Sequence, residues 1–225
     1  MSRPNSEAVT PESLDISEAT QADVGAIADV LGVSFADEYA PLFTRDEQTR
    51  RRCVEALLTS GFLDWRESTL VCRADGKGVG VAILRWTPRR PRRPAWRCLQ
   101  ALAAVLGWAR ATLAVGSLLL TPEQRPKRGA CELLVIAVLP VYRQRGIARR
   151  LIVVAEREAQ ARCRTRLSLA VDEGNAAAIA LYQSCGFERT ETRIVAADLV
   201  VFRMSRYHRM VKRVDLSEHL RPSAS

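Results

Sequence analysis

A short apolar strand that runs through a cationic glycine turn straight into an amphipathic helix leaves few folds open to a chain. Residues 131–157 spell that unit. Leu133-Leu134-Val135-Ile136-Ala137-Val138 is apolar at every position, so it reads as a strand buried on both faces. Pro140 ends it, because proline brings no N–H to a sheet ladder. Arg143-Gln144-Arg145-Gly146-Ile147-Ala148 follows, and then Ile147, Leu151, Val154 and Ala155 recur at helical spacing.

A helix N-terminus leaves about four backbone N–H groups without partners and carries roughly half a positive charge. Gly146 and Ala148 are small enough to let a ligand come close to the backbone, and Arg143, Arg145 and Arg149 add charge around the same turn. That combination suits a diphosphate. A plain strand-to-helix connection with solvated arginines would look the same, so the turn by itself leaves both readings open.

A second stretch lies about 30 residues on. After the apolar run Leu167-Ser168-Leu169-Ala170-Val171 comes Asn175-Ala176-Ala177-Ala178-Ile179-Ala180-Leu181-Tyr182-Gln183-Ser184-Cys185-Gly186-Phe187. Here the chain resembles the GNAT superfamily of acetyl-CoA-dependent N-acetyltransferases. The Arg/Gln-x-x-Gly-x-Gly/Ala turn of that family is matched by residues 143–148. Its later asparagine, tyrosine and Gly-Phe signature is matched by Asn175, Tyr182, Gly186 and Phe187. The match is clear over 131–188 and weaker over 14–86.

The resemblance implies an α/β fold: a mixed, mostly antiparallel central sheet flanked by helices. In it, strands near 131–138 and 167–171 run parallel, joined by the 146–161 helix as a right-handed crossover, with the cofactor where the pair splays. It implies transfer of an acetyl group from acetyl-CoA to a primary amine by direct attack on the thioester. Backbone groups of Ile136, Ala137 and Val138 would pair with the pantetheine arm. Amides from Gln144 through Arg145, Gly146, Ile147 and Ala148 to Arg149 would hold the diphosphate, and Asn175 would meet the cofactor arm or a water. Tyr182 would be the acid for the leaving thiolate and Glu132 the base, with no metal. Asp37 and Glu38, in the loop after the first helix, would meet a cationic amine. The branch acting on protein N-terminal amines carries a glutamate where this chain has Ala170, which weighs against that acceptor class. The acceptor is an amine-bearing small molecule, peptide or protein, and the chain a monomer or homodimer. The competing reading is a non-catalytic acyl-CoA-binding or membrane-docking module using residues 88–127.

The formal charge of +9 over 225 residues calls for an anionic partner. Residues 87–129 hold nine Lys/Arg and one Glu, a net +8 (9 − 1), so nearly all of the excess lies there. The six cysteines include no CxxC pair and several sit in apolar runs, as expected of reduced, buried thiols in a cytoplasmic protein. The only histidines are His208 and His219, which argues against a histidine triad or a core zinc site. Residues 1–13 carry no apolar leader segment and read as a disordered tail.

In chain order, the domain is expected over 14–205. A strand begins at Leu14, and Val24, Ile27, Ala28, Leu31 and Phe35 mark a first helix after Thr20 and Asp23. A second helix covers 46–59, and strands at 68–74 and 79–86 meet through Asp75-Gly76-Lys77-Gly78. Residues 87–129 are a helical basic and apolar insertion before the central strand. It reads in three ways: a lid of one or two helices over the acceptor site, an interfacial helix on anionic lipid, or a membrane span. Arg110 and Gly107 argue against the span. Nucleic acid fits less well, since Trp96 is the one aromatic beside the arginines. Two closing strands are expected between Glu188 and Arg203, then a basic and polar tail over 206–225.

Overall fold

The computed structural model describes residues 14–36, 40, 42–62, 68–86, 95–120, 129–198 and 203–216. Its strands are β1 (Leu14–Glu18), β2 (Thr69–Ala74), β3 (Lys77–Arg85), β4 (Ala130–Val138), β5 (Arg166–Asp172), β6 (Glu188–Asp198) and β7 (Arg203–Arg213). They form one sheet in the order β1-β2-β3-β4-β5-β7-β6. Only β4 and β5 pair in parallel; the other neighbours are antiparallel. The mixed, mostly antiparallel α/β sheet expected from the sequence is therefore the observed one.

The helices are α1 (Val24–Ser34), α2 (Glu47–Thr59), α3 (Ala95–Leu106), α4 (Trp108–Leu120), α5 (Ile147–Ala161) and α6 (Ala176–Ser184). α1 to α4 cover one face of the sheet, where Ile27, Leu31, Phe43 and Leu57 bury against Val71, Val81 and Ile83. α5 and α6 cover the other, where Ile147, Leu151 and Ile152 bury against Leu70, Ala82, Leu133 and Leu169. Burying apolar area on both faces explains why the central strands read as unbroken apolar runs.

Local chemistry fixes the turns. β2 and β3 meet through Asp75-Gly76, whose φ angles of 49° and 77° are both left-handed, as a two-residue hairpin turn requires. α5 sits close on β3 because Gly80 has no side chain: a Cβ there would lie 3.0 Å from Ile147 Cγ2 and 3.3 Å from Leu151 Cδ1.

The parallel pairing of β4 and β5 runs from Ala130↔Arg166 to Leu133↔Leu169 and stops. β4 continues to Val138 and β5 to Asp172, so the two strands part where the apolar run of β4 is densest. A bulge sits at the same place. Ile83 of β3 pairs with Val135 and Leu84 with Leu133, which leaves Leu134 as the extra residue of β4.

The bulge decides which face Glu132 takes. Strict alternation would put Glu132 on the face of Leu134, Ile136 and Val138. The extra residue shifts the phase: Leu133 before it and Val138 after it both lie in the cluster with α5. Glu132 therefore lies on the opposite face, with Ala137, toward α1 and α2.

The C-terminal expectation changes. The closing hairpin is β6 with β7, and residues 206–213 are part of β7 rather than a tail. Its basic residues hide the period-two pattern in the sequence, yet His208, Arg209 and Met210 are buried between β5 and β6. Of the two strands expected between Glu188 and Arg203, the residues 199–202 lie outside the described ones, as do 1–13, expected as a disordered tail, and 217–225.

Within the 87–129 insertion, the described part is two helices, α3 and α4, broken at Gly107 with φ 78°. Gly107 N–H donates to Ala103 O at 2.9 Å and closes α3. α3 rests beside α2 through Cys98 and Leu102. Arg110, in the first turn of α4, donates to Phe43 O at 2.5 Å. Among the described residues no helix is long and apolar enough to cross a membrane.

Candidate active site

The turn between β4 and α5 is closed by its own hydrogen bonds in its first half and offers backbone donors in its second. Pro140–Tyr142 makes one 3-10 turn, and Arg143 N–H closes it on Pro140 O at 3.2 Å. The next six amides, Gln144 to Arg149, donate to no group among the described residues, and the first helical bond is Arg150 N–H to Gly146 O at 3.0 Å. Gln144 and Gly146 hold left-handed φ angles of 62° and 77°. Nothing lies within 4 Å of where a Cβ of Gly146 would be. The result is a run of amide donors at the positive end of a 15-residue helix, with room for an anion against the backbone.

The arginines of this turn are partly committed. Arg143 Nε donates to Val138 O at 3.1 Å, and Ser34 Oγ donates to the same carbonyl at 3.2 Å. Arg145 stacks 5.3 Å over the ring of Tyr142. Arg149 donates to Ser184 Oγ at 2.8 Å and so ties α5 to the end of α6. Ile147 is buried and Ala148 half-buried, so both contribute amides rather than side chains.

Beyond Leu133 the β5-facing edge of β4 is open. Leu139 N–H donates to Val79 O at 3.0 Å, so by alternation Ala137 and Val135 also turn their peptides toward β3. Ile136 and Val138 turn theirs to the gap. Val138 O is taken by Arg143 and Ser34, which leaves its N–H as the donor there. Ala137, grouped with them in the sequence reading, spends its peptide on the sheet.

Tyr182 lies on α6 with its ring buried against Phe187, edge to face at a centroid distance of 5.9 Å. Burial, with a smaller contribution from Cys185, pushes its phenol up to about 12. Asn175 caps α6: its Oδ1 accepts from Ala178 N–H at 3.0 Å, leaving its Nδ2 as a donor. Asp37 and Glu38 lie outside the described residues.

Glu132 is 2% exposed and pairs across strands with Arg85, whose Nη1 is 3.7 Å from Oε2. On the same face of the next strand is Ser168, in parallel register with Glu132, and its Oγ donates to Cys131 O at 3.2 Å. Arg209 of β7, buried opposite Ala170, reaches Ser168 Oγ from Nη2 at 3.5 Å. Arg85, Glu132, Ser168 and Arg209 thus form a buried polar row across four strands. Sequence reasoning found only the glutamate, because the row is assembled by register and no local spacing announces it. His208, on the other face, sits with Nδ1 3.0 Å from Thr192 Oγ1 and Nε2 3.9 Å from Glu173.

The buried thiols are poor nucleophiles. Cys53, Cys72, Cys98 and Cys131 are buried. Burial raises Cys131 to about 12 and Cys53 and Cys98 to about 11, so each is a thiol at neutral pH. No group of three metal-ligating side chains occurs among the described residues.

Comparison with known proteins points the same way. A sequence profile of the acetyltransferase (GNAT) family matches residues 33–187. Among solved structures, the chain is similar to the ribosomal-protein-S18-alanine N-acetyltransferase of Escherichia coli, with 19% identity, 90% of this chain and 94% of that one covered, and a TM-score of 0.53. It is similar to the PaiA N-acetyltransferase of Thermoplasma acidophilum in complex with coenzyme A, with 17% identity, 89% and 99% covered, and a TM-score of 0.55. A third is YncA of Salmonella typhimurium, solved with its cofactor acetyl-CoA, at 21% identity, 95% and 99% covered, and a TM-score of 0.51. At these identities the likeness is one of fold. No curated protein matches the sequence.

Proposed function

The chain belongs to the acetyltransferase (GNAT) family, and on that premise we propose that it transfers an acetyl group from acetyl-CoA to a primary amine, by direct attack of the amine on the thioester. The observation that carries this reading is the run of six uncommitted amides, Gln144 to Arg149, beside the open edge of β4.

Acetyl-CoA would supply an activated acyl group and a long anionic handle. The amides from Gln144 to Arg149 would hold its diphosphate, and the space over Gly146 admits it. The free edges of Ile136 and Val138 suit the pantetheine arm, as an added strand would use them. Val138 N–H would then donate to an acyl oxygen as it gains charge. Asn175 Nδ2 offers a further donor.

Glu132 would take the proton of the amine from the α1–α2 side of the sheet, its carboxylate held by Arg85. Tyr182 would serve the departing sulfur in a different capacity than a free phenol. With its proton held up to about 12, it is a hydrogen-bond donor at every physiological pH. Full transfer to a thiolate of ordinary basicity, near 8.5, would be uphill, so the phenol stabilises the sulfur by hydrogen bonding. Direct attack is favoured over an acetylated cysteine because four of the six thiols are buried, and those of Cys53, Cys98 and Cys131 are pushed up to about 11 or 12.

The test is thiol release from acetyl-CoA in a panel of primary amines, with Tyr182→Phe beside the wild type. Release that depends on one class of amine and falls in the variant is the expected result. Tight acetyl-CoA binding with no release for any amine favours a non-catalytic acyl-CoA-binding module instead.

A further inference from the structure

The outward face of the α3–α4 hairpin is built the reverse of a solvated surface. α4 turns its small residues inward: Ala111 and Ala114 are 0% and 1% exposed, and Ser117 is buried. Three of its large residues face out, while Val115 is buried: Trp108 and Leu113 are each 64% exposed and Leu119 40%. Trp96, in the first turn of α3, is 52% exposed. Of the six exposed large hydrophobic residues among those described, four lie on this one hairpin. Single exposed apolar residues are ordinary, whereas a cluster marks a surface that something covers.

Charge says what kind of partner covers it. Residues 95–120 contain Arg97 and Arg110 and no carboxylate. Arg89, Arg90, Arg92 and Arg93 precede the hairpin, and Arg125, Lys127 and Arg128 follow it, against the single Glu123. The Arg97 guanidinium lies 5.6 Å over the ring of Trp96, so a cation and an apolar ring share one spot. A second copy of this face would bring one +8 segment (9 − 1) onto another and be repelled. An apolar band with tryptophans and flanking arginines matches instead a bilayer interface, where the rings enter the headgroup layer and the arginines reach phosphates.

We propose that the α3–α4 hairpin docks the protein on an anionic lipid bilayer, with Trp96, Trp108, Leu113 and Leu119 entering the headgroup region. The helices lie in the membrane plane, since their 12 and 13 residues are too few to span it. This role goes beyond acetyl transfer and stands or falls without it.

Co-sedimentation of the full-length protein with vesicles tests it, using phosphatidylcholine alone and phosphatidylcholine mixed with phosphatidylglycerol. Wild type is expected to sediment with the mixed vesicles, less so as salt rises, and not with phosphatidylcholine alone. Trp108→Ser combined with Leu113→Ser is expected to weaken partition about tenfold or more. Both side chains are exposed, so the thermal midpoint stays unchanged. In the wild type itself, mixed vesicles shift tryptophan emission to the blue. No sedimentation and no shift, equal partition of variant and wild type, or equal binding to uncharged vesicles would each overturn the proposal. So would a concentration-dependent dimer that the variant abolishes without any vesicle binding.

Discussion

A Cβ added to Gly80 would lie 3.0 Å from Cγ2 of Ile147, the first residue of α5. Gly80 is opposite Val138, the last residue of β4. One missing side chain therefore sets the distance between the amide run at the helix start and the strand edge beside it. Gly80→Ala pushes the helix outward by a few tenths of an ångström. The expected cost is about 1–3 kcal/mol, by the usual effect of overpacking, together with a weaker Kd for acetyl-CoA. Thermal unfolding and calorimetry check the two effects separately. Unchanged values of both would mean that the packing of α5 on β3 does not position the cradle.

Glu132 and Arg85 support a second prediction. Glu132→Gln keeps the shape and removes the base, so kcat falls by about 10²–10⁴-fold while the Kd of acetyl-CoA stays near wild type. Arg85→Met removes the cation beside a carboxylate that is 3% exposed at its side chain. Breaking a buried pair of this kind costs roughly 3 kcal/mol. Combining the two substitutions recovers part of that loss, since no charge is then left without the other. Urea unfolding of the four proteins reads the cycle. A kcat unchanged in Glu132→Gln would take the base away from this residue.

Tyr182 has a pH signature. Its phenol is pushed up to about 12 by burial, so the folded state binds the proton more tightly than the unfolded chain, whose phenol titrates near 10. The stability it contributes is complete below pH 10 and is lost as pH rises from there through 12. A difference titration at the phenolate absorbance band, wild type minus Tyr182→Phe, is expected to show no ionisation of this group near pH 10. A transition at 10 would mean that the ring is solvated and that its role as a permanently protonated donor is wrong.

Asn175 does two jobs that substitutions can part. Asn175→Asp keeps the oxygen that accepts from Ala178 and loses the Nδ2 donor; Asn175→Ala loses both. The aspartate is expected to hold the thermal midpoint and weaken acetyl-CoA binding. The alanine is expected to lower stability by about 1 kcal/mol as well. Wild-type affinity in the aspartate variant would leave Asn175 as a helix cap alone.

Much of this arrangement is readable from local spacing. The apolar run to Val138, the proline after it and the small residues of the turn announce strand, stop and helix start within 20 residues. Asp75-Gly76 announces its hairpin in two. What eludes a linear reading is set by partners far away in the chain. The bulge at Leu134 depends on β3, and it turns Glu132 to the face opposite the one alternation assigns it. β7 is masked because Arg206, Arg209 and Arg213 are cationic, and only β5 and β6 on its two sides reveal it as a strand. Ser168 and Arg209 join Glu132 by register alone. The inverted faces of α4 show only once its packing against the domain is known, since small and large residues alternate there without an obvious amphipathic period.

The most direct measurement is calorimetric titration of the protein with acetyl-CoA, CoA and ATP, for wild type and Gly146→Glu. The account predicts saturable binding of acetyl-CoA and CoA by the wild type. The glutamate places a side chain and a negative charge in the open space above the amide run, so the variant loses that binding; the left-handed φ of 77° costs it about 1–2 kcal/mol of stability, and circular dichroism checks that it is folded. Equal binding of acetyl-CoA by both proteins, or none by a folded wild type, would contradict the assignment of the β4–α5 turn as the cofactor cradle.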